Sequence, residues 1–305
     1  MENYLHFIAG WGAGSLGVLV GHPLDTIKTH QQMSNRKLRT RDALKRIMRN
    51  DGIRGFYRGM SCPLVHSGSL NSLFFGVYNA SLTSLQSSRG HDENLPSNRG
   101  WLLDNFVAGC LAGGAQALIT CPSELIKIRI QLGKGLITYI KTEHYTLARV
   151  NTFLTVLDLY RKYGIRGLYV GWVPTMWRDV IGGGVYFSSY QLTHHYMYGT
   201  LNLTPGFFEI LVAGGVAGLT SWIPVIPFDT IKSRIQGDNF ANPAYKGMID
   251  CSIDLYKHSS FHGFFKGFFV IIFRSVPVNV AIMSGYELIL YIGKNFSVDD
   301  LKKYF

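Results

Sequence analysis

The chain has 305 residues and a formal net charge of +11 at pH 7; 47% of its residues are hydrophobic and 16% are charged. The hydrophobic content excludes an intrinsically disordered protein, and four cysteines are too few for a disulfide-stabilised scaffold. A low total charge with a strongly positive balance is typical of a membrane protein with basic loops.

Long stretches without Asp, Glu, Lys or Arg recur along the chain, at residues 3–24, 59–88, 105–123, 180–208 and 210–228. Residues 171–196, which overlap the fourth stretch, and residues 267–293 are equally apolar apart from Arg178, Asp179, Arg274 and Glu287. A helix that crosses the bilayer core needs about 20 mostly apolar residues. The sequence therefore predicts six transmembrane helices.

The sequence also repeats itself with a period of about 100 residues. Ala-Gly-x-x-Ala-Gly occurs at residues 9–14, 108–113 and 213–218, and each copy is followed by a Pro-x-acid-x-x-Lys motif. The prolines of these motifs are Pro23, Pro122 and Pro227. Because each copy contains two apolar stretches, we predict one membrane domain made of three repeats, at residues 1–98, 99–203 and 204–305.

Each part of the repeat has a physical interpretation. Small residues four apart allow helix backbones to approach closely in lipid, and a proline inside an apolar helix kinks it; a plain helix end is the alternative for each proline. The acid and the base, three residues apart, share one helix face. An isolated surface pair is the alternative, but three copies favour a ring in which each acid meets the base of a neighbouring repeat.

The triple Pro-x-[Asp/Glu]-x-x-[Lys/Arg] motif at this spacing resembles the mitochondrial carrier family across essentially the whole chain. The resemblance implies an all-α membrane protein with six transmembrane helices in pseudo-threefold symmetry around a central cavity, and a short matrix helix in each repeat. It favours a monomeric solute carrier over an enzyme. It implies the mitochondrial inner membrane, with a peroxisomal or outer-membrane location as alternatives.

The resemblance also assigns two gates. In the matrix gate, Asp25 pairs with Lys127, Glu124 with Lys232, and Asp229 with Lys28. Gln32, Gln131 and Gln236 are braces beneath these pairs. The cytoplasmic gate motif of the family is degenerate here and retains only Tyr78, Tyr190, Tyr286 and Glu287. We therefore predict a strong matrix gate, a weak cytoplasmic gate and an unliganded state that is open to the cytoplasmic side.

Candidate solute-binding residues emerge when the repeats are aligned on Gly59, Gly171 and Gly267. Seven and eight residues later stand His66 and Ser67, Arg178 and Asp179, and Arg274 and Ser275. Charges embedded in a membrane span are costly and mark a functional cavity by default, although a structural Arg–Asp pair is the alternative. An arginine can hold a carboxylate and Asp179 an ammonium, which predicts a zwitterionic solute.

In the family this level of the even-numbered helices contacts substrate, and these residues look like the branch that carries carnitine, ornithine and other amino acids. Trp222 stands at a position that faces the cavity in the family. Tryptophan is the best aromatic face for a cation, so the solutes considered are carnitine, betaine, choline, and methylated or basic amino acids. Packing or interfacial anchoring is the alternative for Trp222, and His66 is interpreted as a neutral lining residue.

The remaining expectations concern partners and alternatives. Residues 36–58 hold nine Lys or Arg and two Asp, and the positive-inside rule places them in the matrix with both termini on the intermembrane-space side. The resemblance implies cardiolipin at Gly59, Gly171 and Gly267. We expect no cofactor, metal or nucleic acid, and find no clear motif in residues 133–151. A carrier-fold adaptor without transport and a proton-leak protein are the alternative functions.

Overall fold

The computed structural model describes residues 2–34, 38–89, 99–133, 137–141, 146–150, 152–199, 207–240 and 242–295. The helices are α1 (Glu2–Met33), α2 (Thr40–Asp51), α3 (Ser61–Arg89), α4 (Arg99–Gln131), α5 (Thr152–Leu168), α6 (Trp172–Gly199), α7 (Phe207–Gln236), α8 (Met248–Ser259) and α9 (Phe268–Asn295). Two 3₁₀ turns, Ile53–Tyr57 and Phe261–Phe265, precede α3 and α9.

Each repeat consists of a long helix, a short helix and a second long helix, which confirms the predicted six-helix fold. By length and apolar composition alone, two stretches of the described chain, 100–131 and 261–282, qualify as membrane spans. The predicted repeat boundaries adjoin or fall within residues 90–98 and 200–206, which lie outside the described chain.

The Ala-Gly-x-x-Ala-Gly motif makes a tight helix contact in the second repeat. A Cβ atom added at Gly113 would collide with the backbone oxygen of Asp179, and one at Gly109 with that of Gly183. Added at Gly214 or Gly218, the equivalent positions of the third repeat, it would meet no atom of the described chain within 4 Å. The close approach that the motif predicts therefore joins α4 to α6 and is not found at the third copy.

The glycines that precede α3, α6 and α9 have positive φ angles: 79° at Gly59, 79° at Gly171 and 85° at Gly267. Each also packs against the first helix of another repeat. An added Cβ would lie 3.1 Å from the Lys127 backbone oxygen at Gly59, and 3.1 Å from Lys28 Cγ at Gly267. Glycine is thus required here by backbone conformation and space; its role in binding lipid stays a prediction.

Seven residues before each of these glycines the backbone again turns with positive φ, at Gly52 (64°), Gly164 (65°) and Ser260 (49°). Ser260 is the only non-glycine residue with positive φ in the described chain. Its ψ is −158°, a combination that is adopted almost only by glycine and costs other residues about 1–3 kcal/mol.

Ser260→Gly is therefore expected to raise the free energy of unfolding by about 1–2 kcal/mol, after allowance for the greater freedom of the unfolded chain. Thermal unfolding of the purified protein measures this gain. Gly164→Ser is the matched control and should lose a similar amount. An unfolding temperature that falls in Ser260→Gly would contradict the assignment of strain to this turn.

The short helices dock on the first long helix of their repeat through apolar side chains and threonine hydroxyls. Ile27, Ala43, Ile47, Phe56 and Val270 form one buried cluster. Thr26 Oγ1 donates a 2.9 Å hydrogen bond to the Phe56 backbone oxygen, and Thr230 Oγ1 donates an equivalent 2.9 Å bond to that of Phe264. In α8, burial raises the pKa of the Cys251 thiol to about 12, so this cysteine is an inert packing residue.

Residues 133–151, for which the sequence offered no motif, contain a two-stranded antiparallel hairpin. Strand β1 (Ile137–Lys141) pairs with β2 (Thr146–Val150), and Ile137 stands opposite Val150. The hairpin lies between α4 and α5, outside the six-helix arrangement. It adds a local element to the second repeat without changing the fold class.

Candidate solute cavity

The proline motifs of α1, α4 and α7 bring six charged side chains together in the interior. We call this set the charge-pair ring: Asp25, Lys28, Glu124, Lys127, Asp229 and Lys232. Lys127 Nζ lies 2.7 Å from Asp25 Oδ2, and Lys28 Nζ lies 2.8 Å from Asp229 Oδ2. Lys232 Nζ contacts Glu124 Oε2. Each pair joins two repeats, in the combinations that the sequence analysis expected.

The prolines of these motifs lie inside continuous helices. α1 runs through Pro23, α4 through Pro122, and α7 through Pro227. The alternative of a plain helix end at each proline is therefore wrong. Continuation of the helix places the acid and the base one turn beyond the proline, on the face that meets the other repeats.

The three glutamines expected beneath the ring all bond to another repeat, but in different ways. Gln32 Nε2 donates 2.7 Å to Asp229 Oδ2, so Gln32 touches a ring pair directly. Gln131 instead accepts a 2.9 Å bond from Thr29 Oγ1 and donates to Thr26 Oγ1. Gln236 donates to the Val170 backbone oxygen at 3.2 Å. Gln131 and Gln236 thus join helices without contacting a ring acid, which differs from the expected bracing of all three pairs.

The two arginines predicted to bind solute are already paired with protein carboxylates. Arg178 Nη1 lies 2.8 Å from Glu124 Oε2 and 3.3 Å from Asp229 Oδ1, and Arg178 Nη2 lies 2.6 Å from Asp179 Oδ1. Arg274 Nε lies 2.6 Å from Asp25 Oδ1. Every acid of the ring therefore contacts one lysine and one arginine. The solute-binding level and the ring form a single charged cluster.

Only one of the two carboxylate oxygens of Asp179 has a partner in this cluster. Its Oδ1 pairs with Arg178, as the structural-pair alternative expects. Its Oδ2 is buried and has no hydrogen-bond partner within the described chain. A buried carboxylate oxygen without a partner is costly. The free oxygen is suited to an ammonium group that enters from the adjacent cavity, which Asp179 lines.

Three adjoining cavities run along the bundle from the ring. The ring cavity, about 200 Å³, is lined by the charge-pair ring, Arg274 and Trp222. The central cavity, about 510 Å³, is lined by Arg178, Asp179 and side chains of α3, α4, α6 and α7. The upper cavity, about 380 Å³, is lined largely by aromatic side chains. Trp222 lines the first two cavities and Tyr186 the last two, so each cavity borders the next.

Trp222 faces these cavities, as the sequence analysis expected, but its ring is already occupied. Lys28 Nζ lies 4.7 Å from the centroid of the Trp222 ring. This distance is within the range of a cation–π interaction. Trp222 therefore binds an ammonium group of the protein itself, and that ammonium belongs to the charge-pair ring.

Tyr78 and Tyr190, which the sequence analysis assigned to the cytoplasmic gate, both line the upper cavity. The Tyr78 ring stacks on Phe187 with centroids 3.4 Å apart. Its hydroxyl donates to Asn105 Oδ1 and accepts a 3.5 Å bond from Gln191 Nε2. Four predicted side chains lie outside the described set: His66, Ser67, Tyr286 and Glu287. The Ser275 hydroxyl donates 2.9 Å to the Ile271 backbone oxygen, within its own helix.

The sequence analysis missed the aromatic lining of the upper half. Phe74 and Phe75 of α3 pack with Tyr186 and Phe187 of α6; the Phe74 and Phe187 ring centroids are 5.1 Å apart. The internal alignment could have found them. Both pairs stand 15 and 16 residues after the aligned glycine of their repeats, whereas the third repeat has Ile282 and Met283 there.

The two ends of this series of cavities differ in chemistry. One end offers arginines, a carboxylate oxygen and an indole face, and the other end offers aromatic rings. Such a cavity can hold a small molecule with a carboxylate and one or two ammonium groups. Among the described residues, no group of His, Cys, Asp and Glu is placed to hold a metal ion.

Comparison with known proteins identifies the same family along nearly the whole chain. The family model described as Mitochondrial carrier protein matches residues 1–89, 98–201 and 204–294. Human Solute carrier family 25 member 45 is 34% identical, with 93% of this chain and 97% of that protein aligned. The rat Mitochondrial basic amino acids transporter is 34% identical over 97% of this chain and 92% of its own length. Zebrafish Solute carrier family 25 member 48 is 32% identical over 95% and 97%.

Proposed function

Because the chain belongs to the mitochondrial carrier family, we propose that it moves a zwitterionic or cationic amino-acid-like metabolite across the mitochondrial inner membrane. The observation that carries this proposal is a pair of adjoining cavities that share Arg178 and Trp222, with Asp179 lining the central cavity and Arg274 the ring cavity. A guanidinium holds a carboxylate through paired hydrogen bonds. The free Asp179 oxygen and the indole face each suit an ammonium.

The comparisons support the same class of solute. A relative that is 34% identical is named as a basic amino acids transporter, and a basic amino acid carries the carboxylate and the ammonium groups that this cavity can bind. The aromatic upper cavity adds a surface for methylated ammonium groups. Carnitine, lysine, ornithine and methylated lysines are therefore the solutes that we propose to test.

Transport follows from the position of the ring. With its three pairs formed, the ring closes one end of the cavity, which we assign to the matrix. Alternating access requires these pairs to break, and a solute drives the change only by binding the broken state more tightly. On the other side, Tyr78 and Tyr190 provide an aromatic closure without charge pairs. We therefore infer that the unliganded carrier favours the state open to the cytoplasmic side.

The proposed setting is that of a monomeric carrier with both termini in the intermembrane space. Exposed basic residues of α2, such as Arg46, lie on the side of the ring and suit an anionic lipid surface. We propose cardiolipin at the turns of Gly59, Gly171 and Gly267. Protease digestion of intact mitochondria, with and without the outer membrane, tests the position of the termini.

Purified carrier in cardiolipin liposomes is expected to take up at least one of labelled carnitine, lysine, ornithine or trimethyllysine. Asp179→Asn should reduce this uptake about ten- to a hundredfold, because it removes a hydrogen-bonding charge from the cavity. Asp158→Asn, on the surface helix α5, is the matched control and should transport normally. Labelled ADP serves as a nucleotide control.

The outcomes separate the candidate functions. Uptake of ADP alone would overturn the proposed class of solute. A folded carrier that takes up none of these compounds would favour an adaptor without transport. A proton current without solute uptake would favour a proton-leak protein. Uptake that Asp179→Asn leaves intact would contradict the assigned site.

A further inference from the structure

Two side chains of α1, both members of the charge-pair ring, contact the cavity groups that we assign to solute binding. Asp25 of α1 holds the Arg274 guanidinium, with Nε and Oδ1 2.6 Å apart. Lys28, one turn further along α1, lies over the Trp222 ring at 4.7 Å. A carboxylate and an ammonium from the same helix therefore fill the carboxylate-binding and ammonium-binding groups of the cavity.

The other two ring motifs lack this double contact. Glu124 and Asp229 share the Arg178 guanidinium, but neither Lys127 nor Lys232 lies over an aromatic ring in the described chain. Trp222 stands five residues before Pro227, and the corresponding residues before Pro23 and Pro122 are Val18 and Ala117. The double contact is thus specific to α1 and is not a general consequence of the threefold repeat.

We propose that Asp25 and Lys28 form an internal zwitterion that occupies the solute site of the unliganded carrier, and that the transported solute displaces both groups. The inference rests on the proposed function and narrows it. The solute must carry a carboxylate that takes the place of Asp25 on Arg274, and an ammonium that takes the place of Lys28 on Trp222.

Exchange of one zwitterion for another keeps all ring charges compensated. Asp25 also pairs with Lys127 at 2.7 Å and Lys28 with Asp229 at 2.8 Å, so both side chains keep an ionic partner when the solute takes their places on Arg274 and Trp222. Arg274 is the more accessible anchor, because its side chain is 27% exposed whereas that of Arg178 is 10% exposed. A solute carboxylate therefore reaches Arg274 first, while Arg178 holds Glu124, Asp179 and Asp229 together.

The charge balance of the cluster disfavours a purely cationic solute. The ring and the cavity residues that contact it contain five basic and four acidic side chains: Lys28, Lys127, Lys232, Arg178, Arg274, Asp25, Glu124, Asp229 and Asp179. A further cation without a carboxylate would add to an existing positive surplus. Choline and 1,5-diaminopentane also lack a carboxylate that could replace Asp25 on Arg274, so we expect neither to bind, whereas lysine has that carboxylate and its second ammonium can face the free oxygen of Asp179.

Displacement of Asp25 and Lys28 by the solute also links solute binding to the opening of the charge-pair ring. Arg274 on α9 holds α1 through Asp25, and Trp222 on α7 holds α1 through Lys28. A solute that takes over both contacts removes one contact of α1 with α9 and one contact of α1 with α7. Fewer contacts of α1 then have to break when the ring opens. The solute thereby stabilises the open ring relative to the closed ring, as alternating access requires.

Binding to purified full-length wild type, Lys28→Gln and Lys232→Gln tests the inference, with carnitine, lysine, choline and 1,5-diaminopentane as probes in calorimetric titrations. Each variant removes one ring lysine, but only Lys28→Gln empties the Trp222 ring. Lys28→Gln is expected to bind carnitine about five- to thirtyfold more tightly, the factor lost to a partly desolvated cation–π competitor. Lys232→Gln should show no such gain, and wild type should bind neither choline nor the diamine.

A third variant shows whether the gain depends on the aromatic ring. Trp222→Leu combined with Lys28→Gln should return carnitine binding to about the wild-type affinity, because it removes the ring that Lys28→Gln frees for the solute. Equal affinities of Lys28→Gln and Lys232→Gln, or choline that binds wild type as tightly as carnitine does, would overturn the internal zwitterion alone. Wild type that binds none of the four probes but binds ADP would overturn the proposed function and this inference with it.

Discussion

Replacement of Arg178 by glutamine is expected to abolish solute uptake and to lower the free energy of unfolding by about 3–5 kcal/mol, the cost of breaking a buried ion pair from one side. Arg178 contacts Glu124, Asp179 and Asp229. Glu124 and Asp229 would each retain a lysine, but Asp179 would be left buried with no cation. Thermal unfolding and uptake in cardiolipin liposomes measure the two effects.

A double variant separates stability from transport. Arg178→Gln with Asp179→Asn removes both the guanidinium and the carboxylate that it leaves uncompensated, so most of the lost stability should return. Uptake should stay absent, because the arginine that joins the ring to the cavity is still missing. Arg178→Gln with wild-type unfolding and wild-type uptake would contradict the account of this cluster.

Gly113→Ala is expected to be the most disruptive substitution of a single methyl group. The new Cβ would collide with the backbone oxygen of Asp179, and no side-chain rotation can relieve a clash with backbone. α4 and α6 must separate, at a cost of about 3 kcal/mol, the upper end for overpacking a tight interface. Separation also moves Asp179, so uptake should fall together with the unfolding temperature.

The third repeat provides the control. Gly218 is the equivalent glycine, and an added Cβ there meets nothing within 4 Å in the described chain. Gly218→Ala should be neutral, or stabilising by up to about 1 kcal/mol through helix propensity. Equal destabilisation by the two alanines would show that the motif packs equally in both repeats, contrary to the structure.

The sequence repeat was sufficient to predict the charge-pair ring, but it did not predict how the ring contacts Arg178 and Arg274. Three copies of one motif predicted a ring of acid–base pairs between neighbouring repeats, and the family resemblance implied which acid pairs with which base. The partners of Arg178 and Arg274 depend on side-chain direction across helices, which spacing within one helix does not determine. The sequence analysis therefore located both arginines but did not anticipate their contacts with Glu124, Asp229 and Asp25.

Departures from symmetry were the least predictable features. The Ala-Gly-x-x-Ala-Gly motif is repeated three times, yet a tight backbone contact forms at Gly109 and Gly113 and not at Gly214 or Gly218. How closely two helices approach depends on all the side chains between them, and the motif contains only a few of those residues. Residues 137–141 and 146–150 likewise pair as strands, and the sequence analysis found no motif that predicts them.

The positive surplus of the charged cluster is the same in the loaded and the empty carrier, so the net charge of the solute determines how a membrane voltage acts on exchange. One elementary charge that crosses the full field gains or loses about 2.3 kcal/mol per 100 mV. A carnitine-like zwitterion adds no net charge, so the voltage acts equally on the loaded and the empty carrier. Lysine adds one charge to the loaded form. Exchange of two zwitterions would then be indifferent to the voltage, whereas exchange of lysine for a zwitterion would be driven by it.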